Sequence, residues 1–195
     1  MMRKEHIFVT SLIYGKLKCE YDKDKLIDYC HDQEANVPGR NVSNRMGWQS
    51  NDYRLDTFPD DWKPIIDEIH GHVIDYYEYI GIRKNIDHAQ FWINVNRKYS
   101  YNIDHDHPGA MVSGTFYLKV PKDSGAIVFT RNDNCQQSWE HVTGNNKSPE
   151  SWSAFSLIPE ENQLIIFPPW LRHRVDMNVT EDEDDSRISI AFNYT

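Results

Sequence analysis

The segment Asn102-Ile103-Asp104-His105-Asp106-His107-Pro108 carries two histidines that are two residues apart. Side chains two residues apart lie on the same side of an extended strand, because the side-chain period of a strand is two. Imidazole is the commonest protein ligand for transition metals near neutral pH. The segment therefore predicts half of a metal site at the mouth of a sheet.

A third histidine follows in the stretch Phe167-Pro168-Pro169-Trp170-Leu171-Arg172-His173-Arg174-Val175. If residues 172–177 form a strand, His173 shares a face with two apolar side chains, Val175 and Met177. An inward-facing histidine is either a hydrogen-bonded core residue or a ligand. Our hypothesis is that His105, His107 and His173 bind one metal ion inside a β-sheet fold.

Other interpretations of these histidines remain open. The run of four titratable groups from Asp104 to His107 also fits a solvated turn. Asp106 faces away from both histidines in an extended segment, so it is a candidate hydrogen-bond acceptor for a ligand imidazole. His70 and His72 lie in a predicted helix, where side chains two residues apart diverge, and we do not expect them to bind metal.

The last strand, Arg187-Ile188-Ser189-Ile190-Ala191-Phe192-Asn193-Tyr194, alternates strictly between polar and apolar residues. Its polar face points either to water or, in a closed two-sheet barrel packed under helices, into a ligand cavity. A guanidinium in a cavity needs an anion, because a buried uncompensated charge costs about 3–5 kcal/mol. Arg187 with Ser189 therefore forms a candidate carboxylate clamp.

The remaining sequence predicts a mainly β fold with flanking helices. Apolar periodicity indicates helices over 22–34 and 60–80, with Pro64 in the first turn of the second helix and Gly81 as its cap. We predict strands over 6–18, 89–95, 111–120, 126–130, 164–167, 172–177 and 187–194. Residues 35–58 lack a period, although Gly47-Trp48-Gln49-Ser50 stands out as an edge plug of the core. Residues 132–153 are polar and fit a substrate loop.

Composition limits the class of protein. The chain has 195 residues, a net charge of −9 and three cysteines. We expect a single domain, with residues 1–87 supporting a core formed by 88–195. The acidic balance argues against nucleic-acid partners, and the odd cysteine count argues against a disulfide framework. No apolar run fits a signal peptide or membrane span, so we expect a cytoplasmic protein. The run 181–185 is expected to be a solvated loop.

Four motifs in this order resemble the Fe(II)- and 2-oxoglutarate-dependent oxygenases, and more narrowly the branch of 2OG-Fe(II) oxygenases with an Asn-x-x-His-x-His-Pro motif. The matching segments are Asn102–Pro108, Ser113–Leu118, Phe167–Val175 and Arg187–Asn193. The Gly47–Ser50 segment and Trp92 are also similar to that branch. Each motif alone is weak, but their combination is specific.

The resemblance implies a double-stranded β-helix, of the jelly-roll or cupin-like type, with Fe(II) at its mouth. It implies a dioxygenase that uses O2 to decarboxylate 2-oxoglutarate to succinate and hydroxylates a substrate that the sequence does not identify. That substrate is a small molecule or a protein side chain. The implied metal ligands are His105, His107 and His173. The implied 2-oxoglutarate-binding residues are Arg187, Ser189, Tyr117, Asn94 and Asn193.

Two departures from that family pattern stand out. Non-haem Fe(II) oxygenases usually use two histidines and one carboxylate, but position 107 carries a histidine. Either His107 is the third ligand, or Asp104 or Asp106 reaches the metal through a bent backbone. The second departure is Asn162, at a turn where the family tends to have glycine. Two other functions stay open, namely a three-histidine dioxygenase without a keto acid and a non-catalytic jelly-roll binding module.

Overall fold

The computed structural model describes residues 2–82, 88–131 and 148–195, which form two antiparallel sheets and two α-helices. The helices are α1 (Lys23–Asn36) and α2 (Lys63–Tyr79). The strands are β1 (Ile13–Lys16), β2 (Asn44–Arg45), β3 (Trp48–Gln49), β4 (Tyr53–Arg54), β5 (Ala89–Asn96), β6 (Tyr101–His105), β7 (Val112–Lys119), β8 (Ile127–Thr130), β9 (Ala154–Leu157), β10 (Gln163–Phe167), β11 (His173–Val175) and β12 (Arg187–Tyr194).

The eight strands from β5 to β12 are divided between two facing sheets. The major sheet has the order β1-β10-β7-β12-β5-β3, with β4 also paired to β5. The minor sheet has the order β2-β6-β11-β8-β9. Four of the eight strands, β5, β7, β10 and β12, lie in the major sheet, and the other four lie in the minor sheet. This interleaved arrangement is the predicted double-stranded β-helix.

The two faces of the major sheet differ in chemistry because side chains alternate along each strand. On β12, the apolar residues face outward into the main core, where they meet the buried face of α2. The buried members of that core from β12 are Ile188, Ile190, Phe192 and Tyr194. The opposite face of β12 turns toward the minor sheet. The sequence pattern of this strand therefore fixes which side of the sheet can hold a site.

Both predicted helices are present, and local signals explain their ends. Asp22 accepts a hydrogen bond from the Lys25 amide at the N-terminus of α1, as an N-cap residue does. Pro64 lies in the first turn of α2. At the other end Gly81 has a φ of +75°, and the Ile82 amide donates to the Tyr77 carbonyl in a Schellman arrangement.

Several segments differ from the sequence prediction. Residues 35–58 form three two-residue strands, β2, β3 and β4, which pair with the ends of β5 and β6. Two-residue strands carry no periodicity, so the sequence pattern could not reveal them. The predicted strand over 6–18 is reduced to β1, while Ile7 and Phe8 are exposed outside any sheet.

The strand β9 was not predicted, because its residues directly follow the polar stretch and its alternation is short. Most of the predicted substrate loop, 132–147, lies outside the described residues. The Asn162 backbone has a φ of +64°, which agrees with an asparagine at a turn that favours glycine. None of the helices within the described ranges is long and apolar enough to cross a membrane.

Candidate metal centre

Two neighbouring strands of the minor sheet bring the three predicted histidines together. His105 on β6 and His173 on β11 are direct partners in the antiparallel register. His107 follows the end of β6, where its amide donates to the Pro169 carbonyl at 2.9 Å. One ligand nitrogen from each ring lies within 4.8 Å of the others. Imidazoles far apart in sequence therefore converge on one point.

Hydrogen bonds orient two of the three rings. His105 Nδ1 lies 2.8 Å from the Ile103 carbonyl, and His173 Nδ1 lies 2.9 Å from the Leu171 carbonyl. A carbonyl oxygen only accepts, so each Nδ1 carries the hydrogen and each Nε2 keeps a free lone pair. The Nε2 atoms of His107 and His173 are 3.3 Å apart. This arrangement directs Nε2 lone pairs toward a shared centre.

Burial keeps these imidazoles neutral at physiological pH. Desolvation, followed by the charge of the neighbouring histidines, lowers the pKa of His173 to about 3. Desolvation and the charge of His105 lower the pKa of His107 to about 4. The pKa of His105 is also lowered, again chiefly by burial. A histidine must be neutral to bind a metal ion, so the cluster is in the ligand form at pH 7.

The nearby carboxylates point away from the cluster. Asp104 forms an ion pair with Arg172 on the other side of the two strands, with a shortest N–O distance of 2.6 Å. Asp106 is exposed, and neither carboxylate belongs to the three-histidine group. The acceptors beside His105 and His173 are main-chain carbonyls, so the hydrogen-bonding role predicted for Asp106 is not seen.

The two helical histidines take structural positions, as expected. The His70 ring stacks on Tyr194 with a centroid distance of 5.7 Å. His72 lies 3.6 Å from the carboxylate of Glu68 on the same helix. Neither belongs to a metal-ligand cluster within the described chain.

Arg187 occupies the polar face of β12 that also carries Asn193, which reaches His107. Its side chain is buried, with 2% of its surface exposed. The guanidinium donates from Nη1 to the carbonyls of Ser124 and Gly125. Across the described ranges, no carboxylate lies within ion-pair distance of Arg187. Burial lowers the pKa of Arg187, because desolvation disfavours the charged form and no direct counter-ion offsets it.

A row of polar side chains crosses the same sheet face beside Arg187. We define this polar rung as Gln49, Asn94, Ser189 and Tyr117, which are successive cross-strand partners on β3, β5, β12 and β7. All four are buried, and none has a side-chain hydrogen bond within the described part of the chain. Burial raises the pKa of Tyr117 to about 12, so its phenol stays protonated.

An unpaired buried polar group costs about 1–3 kcal/mol, so such a group on this face indicates a surface shaped for a ligand. The buried Asn94 Oδ1 atom itself lacks a partner. Sequence reasoning placed Tyr117, Ser189 and Asn94 near this site, and the fold brings them together. It missed Gln49 as a site residue, although the Gly47–Ser50 segment had been noted. It also missed Ser113, which contacts Asn193.

Three solved structures share this fold. A prolyl-4-hydroxylase from Pseudomonas putida is 12% identical over 93% of this chain and 91% of its own, with a TM-score of 0.61. A 2OG-Fe(II) oxygenase family oxidoreductase from Burkholderia pseudomallei is 16% identical, with coverages of 94% and 85% and a TM-score of 0.55. A viral collagen prolyl hydroxylase from Paramecium Bursaria Chlorella virus-1, solved as a 2OG complex, is 16% identical, with coverages of 93% and 94% and a TM-score of 0.52.

At these identities the structural likeness establishes the fold alone. No curated protein matches the chain in sequence. A family model described as "Putative 2OG-Fe(II) oxygenase" matches residues 90–193, which is more than half of the chain and spans every strand from β6 to β12. The protein therefore belongs to the 2OG-Fe(II) oxygenase family, whose metal is Fe(II) and whose co-substrate is 2-oxoglutarate.

Proposed function

We propose that this protein is a 2-oxoglutarate-dependent dioxygenase of the hydroxylase type, with Fe(II) held by His105, His107 and His173. The observation that carries the proposal is the convergence of three neutral imidazoles, with ligand atoms within 4.8 Å of one another, beside the sheet face that carries the buried Arg187 and reaches His107 through Asn193. A metal site and a buried guanidinium joined by one sheet face fit a ligand that chelates a metal at one end and carries a carboxylate at the other.

The donor set fits a divalent transition metal. Three neutral imidazole nitrogens suit iron, and they leave the other coordination positions of the ion open. The lowered pKa values of His107 and His173 mean that neither ring must lose a proton to bind the metal at pH 7. Because no carboxylate joins the cluster in the described chain, the site would keep the full charge of its metal ion.

The polar rung and Arg187 fit the distal carboxylate of 2-oxoglutarate. Arg187 offers a planar fork of N–H donors, and Ser189 and Tyr117 add hydroxyl donors on the same sheet face. Gly125 supports this arrangement, because a Cβ there would lie 3.1 Å from Arg187 Nη1 and 2.1 Å from the Asp176 carbonyl oxygen. A carboxylate bound here would supply the counter-ion that the guanidinium lacks.

When bound, Fe(II) supplies the redox chemistry that couples O2 to the oxidation of both the keto acid and the substrate. The protein orients the three imidazoles, anchors the far end of the keto acid and buries the reacting end. Trp92 lies beside His107, with ring centroids 5.9 Å apart, and Phe167 lies close to His173. These rings exclude water from one side of the centre.

Anaerobic titration of the Fe(II)-loaded protein with 2-oxoglutarate tests this proposal. We expect a visible charge-transfer band from the chelated keto acid, and succinate formation once air is admitted. His173→Ala should lose the band, because two imidazoles cannot hold the metal in the same way. His70→Ala is the matched control, since it removes a histidine outside the cluster, and it should keep the band.

Two results would overturn the proposal in different ways. Tight Fe(II) binding with no response to 2-oxoglutarate would favour a three-histidine dioxygenase in which Arg187 holds a carboxylate of the substrate itself. That alternative has one supporting observation, namely that the third member of the cluster is His107 rather than a carboxylate. A protein that binds no metal at these histidines would instead be a binding module.

A further inference from the structure

His107 differs from the other two histidines in its second contact. His105 and His173 each face a carbonyl two residues earlier in the chain, so their orientation is fixed locally. His107 Nδ1 instead lies 3.4 Å from Asn193 Nδ2, on a strand of the opposite sheet. The orientation of this ring therefore depends on a side chain of the major sheet.

Asn193 is itself held in place by a buried neighbour. Ser113 Oγ lies 2.7 Å from Asn193 Oδ1, and the two residues are cross-strand partners on β7 and β12. Ser113 is completely buried. A buried hydroxyl bonded to a carboxamide, which in turn meets an imidazole, forms a short chain of hydrogen bonds that ends at His107.

Both members of this chain can either donate or accept a hydrogen bond. A carboxamide offers an oxygen on one side and an NH2 on the other, and a serine hydroxyl can pair with either. The Asn193 amide can therefore turn by half a rotation and keep its bond to Ser113. In one orientation it donates to His107 Nδ1, and in the other its oxygen accepts from the Nδ1–H.

Only the second orientation suits a ring that binds metal through Nε2, because that ring carries its hydrogen on Nδ1. An aspartate at position 107 would carry no ring hydrogen to place. Resting on the proposed metal site, we infer that Asn193, supported by Ser113, is a positioning residue that makes His107 a competent third ligand. The pair accounts for a half-buried amide and a buried hydroxyl next to the metal cluster.

Zn(II) titration of the full-length protein tests this role without turnover. Asn193→Leu removes the acceptor and should weaken Zn(II) binding by roughly 10- to 100-fold, the usual effect of losing a partner of a ligand histidine. Asn193→Asp keeps an acceptor and should bind at least as tightly as the original protein. Nitrogen-15 NMR of the Zn(II) form should show a protected His107 Nδ1–H in the original protein and in Asn193→Asp, but not in Asn193→Leu.

Gln90 provides matched controls, since it is the cross-strand partner of Asn193 on β5 and its side chain makes no hydrogen bond in the described chain. Gln90→Leu removes a carboxamide from the same level of the sheet and should leave Zn(II) affinity unchanged. Gln90→Glu adds the same charge as Asn193→Asp, so it measures how much any tightening owes to charge alone. Ser113→Ala should weaken binding in the same direction as Asn193→Leu but by a smaller factor.

The outcomes separate this inference from the proposed function. If the original protein binds no Zn(II) at the three histidines, the proposed function fails. If it binds Zn(II), and Asn193→Leu and Asn193→Asp bind equally well or weaken equally, the positioning role is wrong and the metal site stands. If Asn193→Leu does not fold, Ser113→Ala carries the comparison, and an unchanged affinity and Nδ1–H signal would overturn the role.

Discussion

The two faces of the major sheet come from the same strands, but one is apolar and packed and the other is polar and buried. On the outer face, buried residues such as Phe91, Ile190 and Phe192 pack against one another and against α2, and they form one apolar core. On the inner face, Arg187 and the polar rung are equally buried but have few partners or none. The outer face is mainly apolar, and the inner face carries polar groups, among them Asn94 Oδ1, that a ligand would satisfy.

This difference separates stability from function along single strands. Because β12 alternates between the faces, neighbouring residues on it should respond in opposite ways to substitution. An outer-face change should cost folding free energy and leave the properties of the folded site intact. An inner-face change should spare folding and cost ligand binding. A substitution that does not follow this pattern would show that stability and ligand binding are not divided between the two faces.

Phe192→Ala should give the largest loss of stability. The ring is completely buried, lies over Gly114 and contacts Phe91 and Tyr194. Its removal should lower the free energy of unfolding by about 3–5 kcal/mol, as truncation of a core phenylalanine does. Denaturant unfolding measures this loss.

Ser189→Ala is the control on the same strand for that measurement. It should change the free energy of unfolding by less than about 1 kcal/mol, because its hydroxyl makes no hydrogen bond within the described residues. Equal losses for the two variants would show that the inner face also holds the fold together, and the separation would be wrong.

Arg187→Met should have the opposite profile. It removes a buried charge that lacks a counter-ion, and with it the donor to the Ser124 and Gly125 carbonyls, so the free energy of unfolding should fall far less than in Phe192→Ala. The affinity of the Fe(II) protein for 2-oxoglutarate should fall by about 2–5 kcal/mol, the usual cost of truncating a buried charged partner. Calorimetric titration measures the affinity, and a variant that keeps full affinity would exclude Arg187 from the co-substrate site.

Acid should destabilise the protein once a chelator has stripped it of metal, because its clustered histidines are buried in the neutral form. In the unfolded chain the histidines take up protons below a pKa of about 6.5. The folded His107 and His173 resist protonation down to a pH of about 4 and about 3. Their stabilising contribution is therefore complete above pH 6.5 and is lost as the pH falls toward those values, by about 1.4 kcal/mol per pH unit for each histidine.

Urea unfolding at a series of pH values measures that slope. His173→Gln should make the slope shallower, because one of the resisting imidazoles is gone. His88→Gln is the control, since His88 is exposed and lies outside the cluster, and it should change the slope less than His173→Gln does. A slope that does not respond to His173→Gln would mean that other groups control the acid sensitivity.

The sequence predicted the grouping of the three histidines better than it predicted the short strands around them. The alternation in β12 and the two-residue spacing of His105 and His107 are local signals. Each correctly predicted which side chains lie on the same side of the backbone. His173 was proposed from its inward position in a predicted strand, but its pairing with His105 across β6 and β11 is a long-range property that the sequence does not show. Gln49 remained hidden, since β3 has only two residues and gains its place by pairing with β5. The contact of Asn193 with His107 was not predicted, and the role of Asn193 at the co-substrate stays a prediction.

The two faces of the minor sheet also differ in chemistry, and a substitution on its outer face should have the smallest effect, a small change in metal affinity. His105 and His173 lie on the face that carries the metal cluster. Asp104 and Arg172, each next to one of those histidines, pair on the opposite face of the same strands. Both charged side chains are more than a third exposed, and such pairs contribute about 0–1 kcal/mol. Asp104→Asn should therefore change metal affinity by less than about threefold. A large loss in a metal titration would instead identify Asp104 as a ligand, and the separation of faces would fail at the metal centre itself.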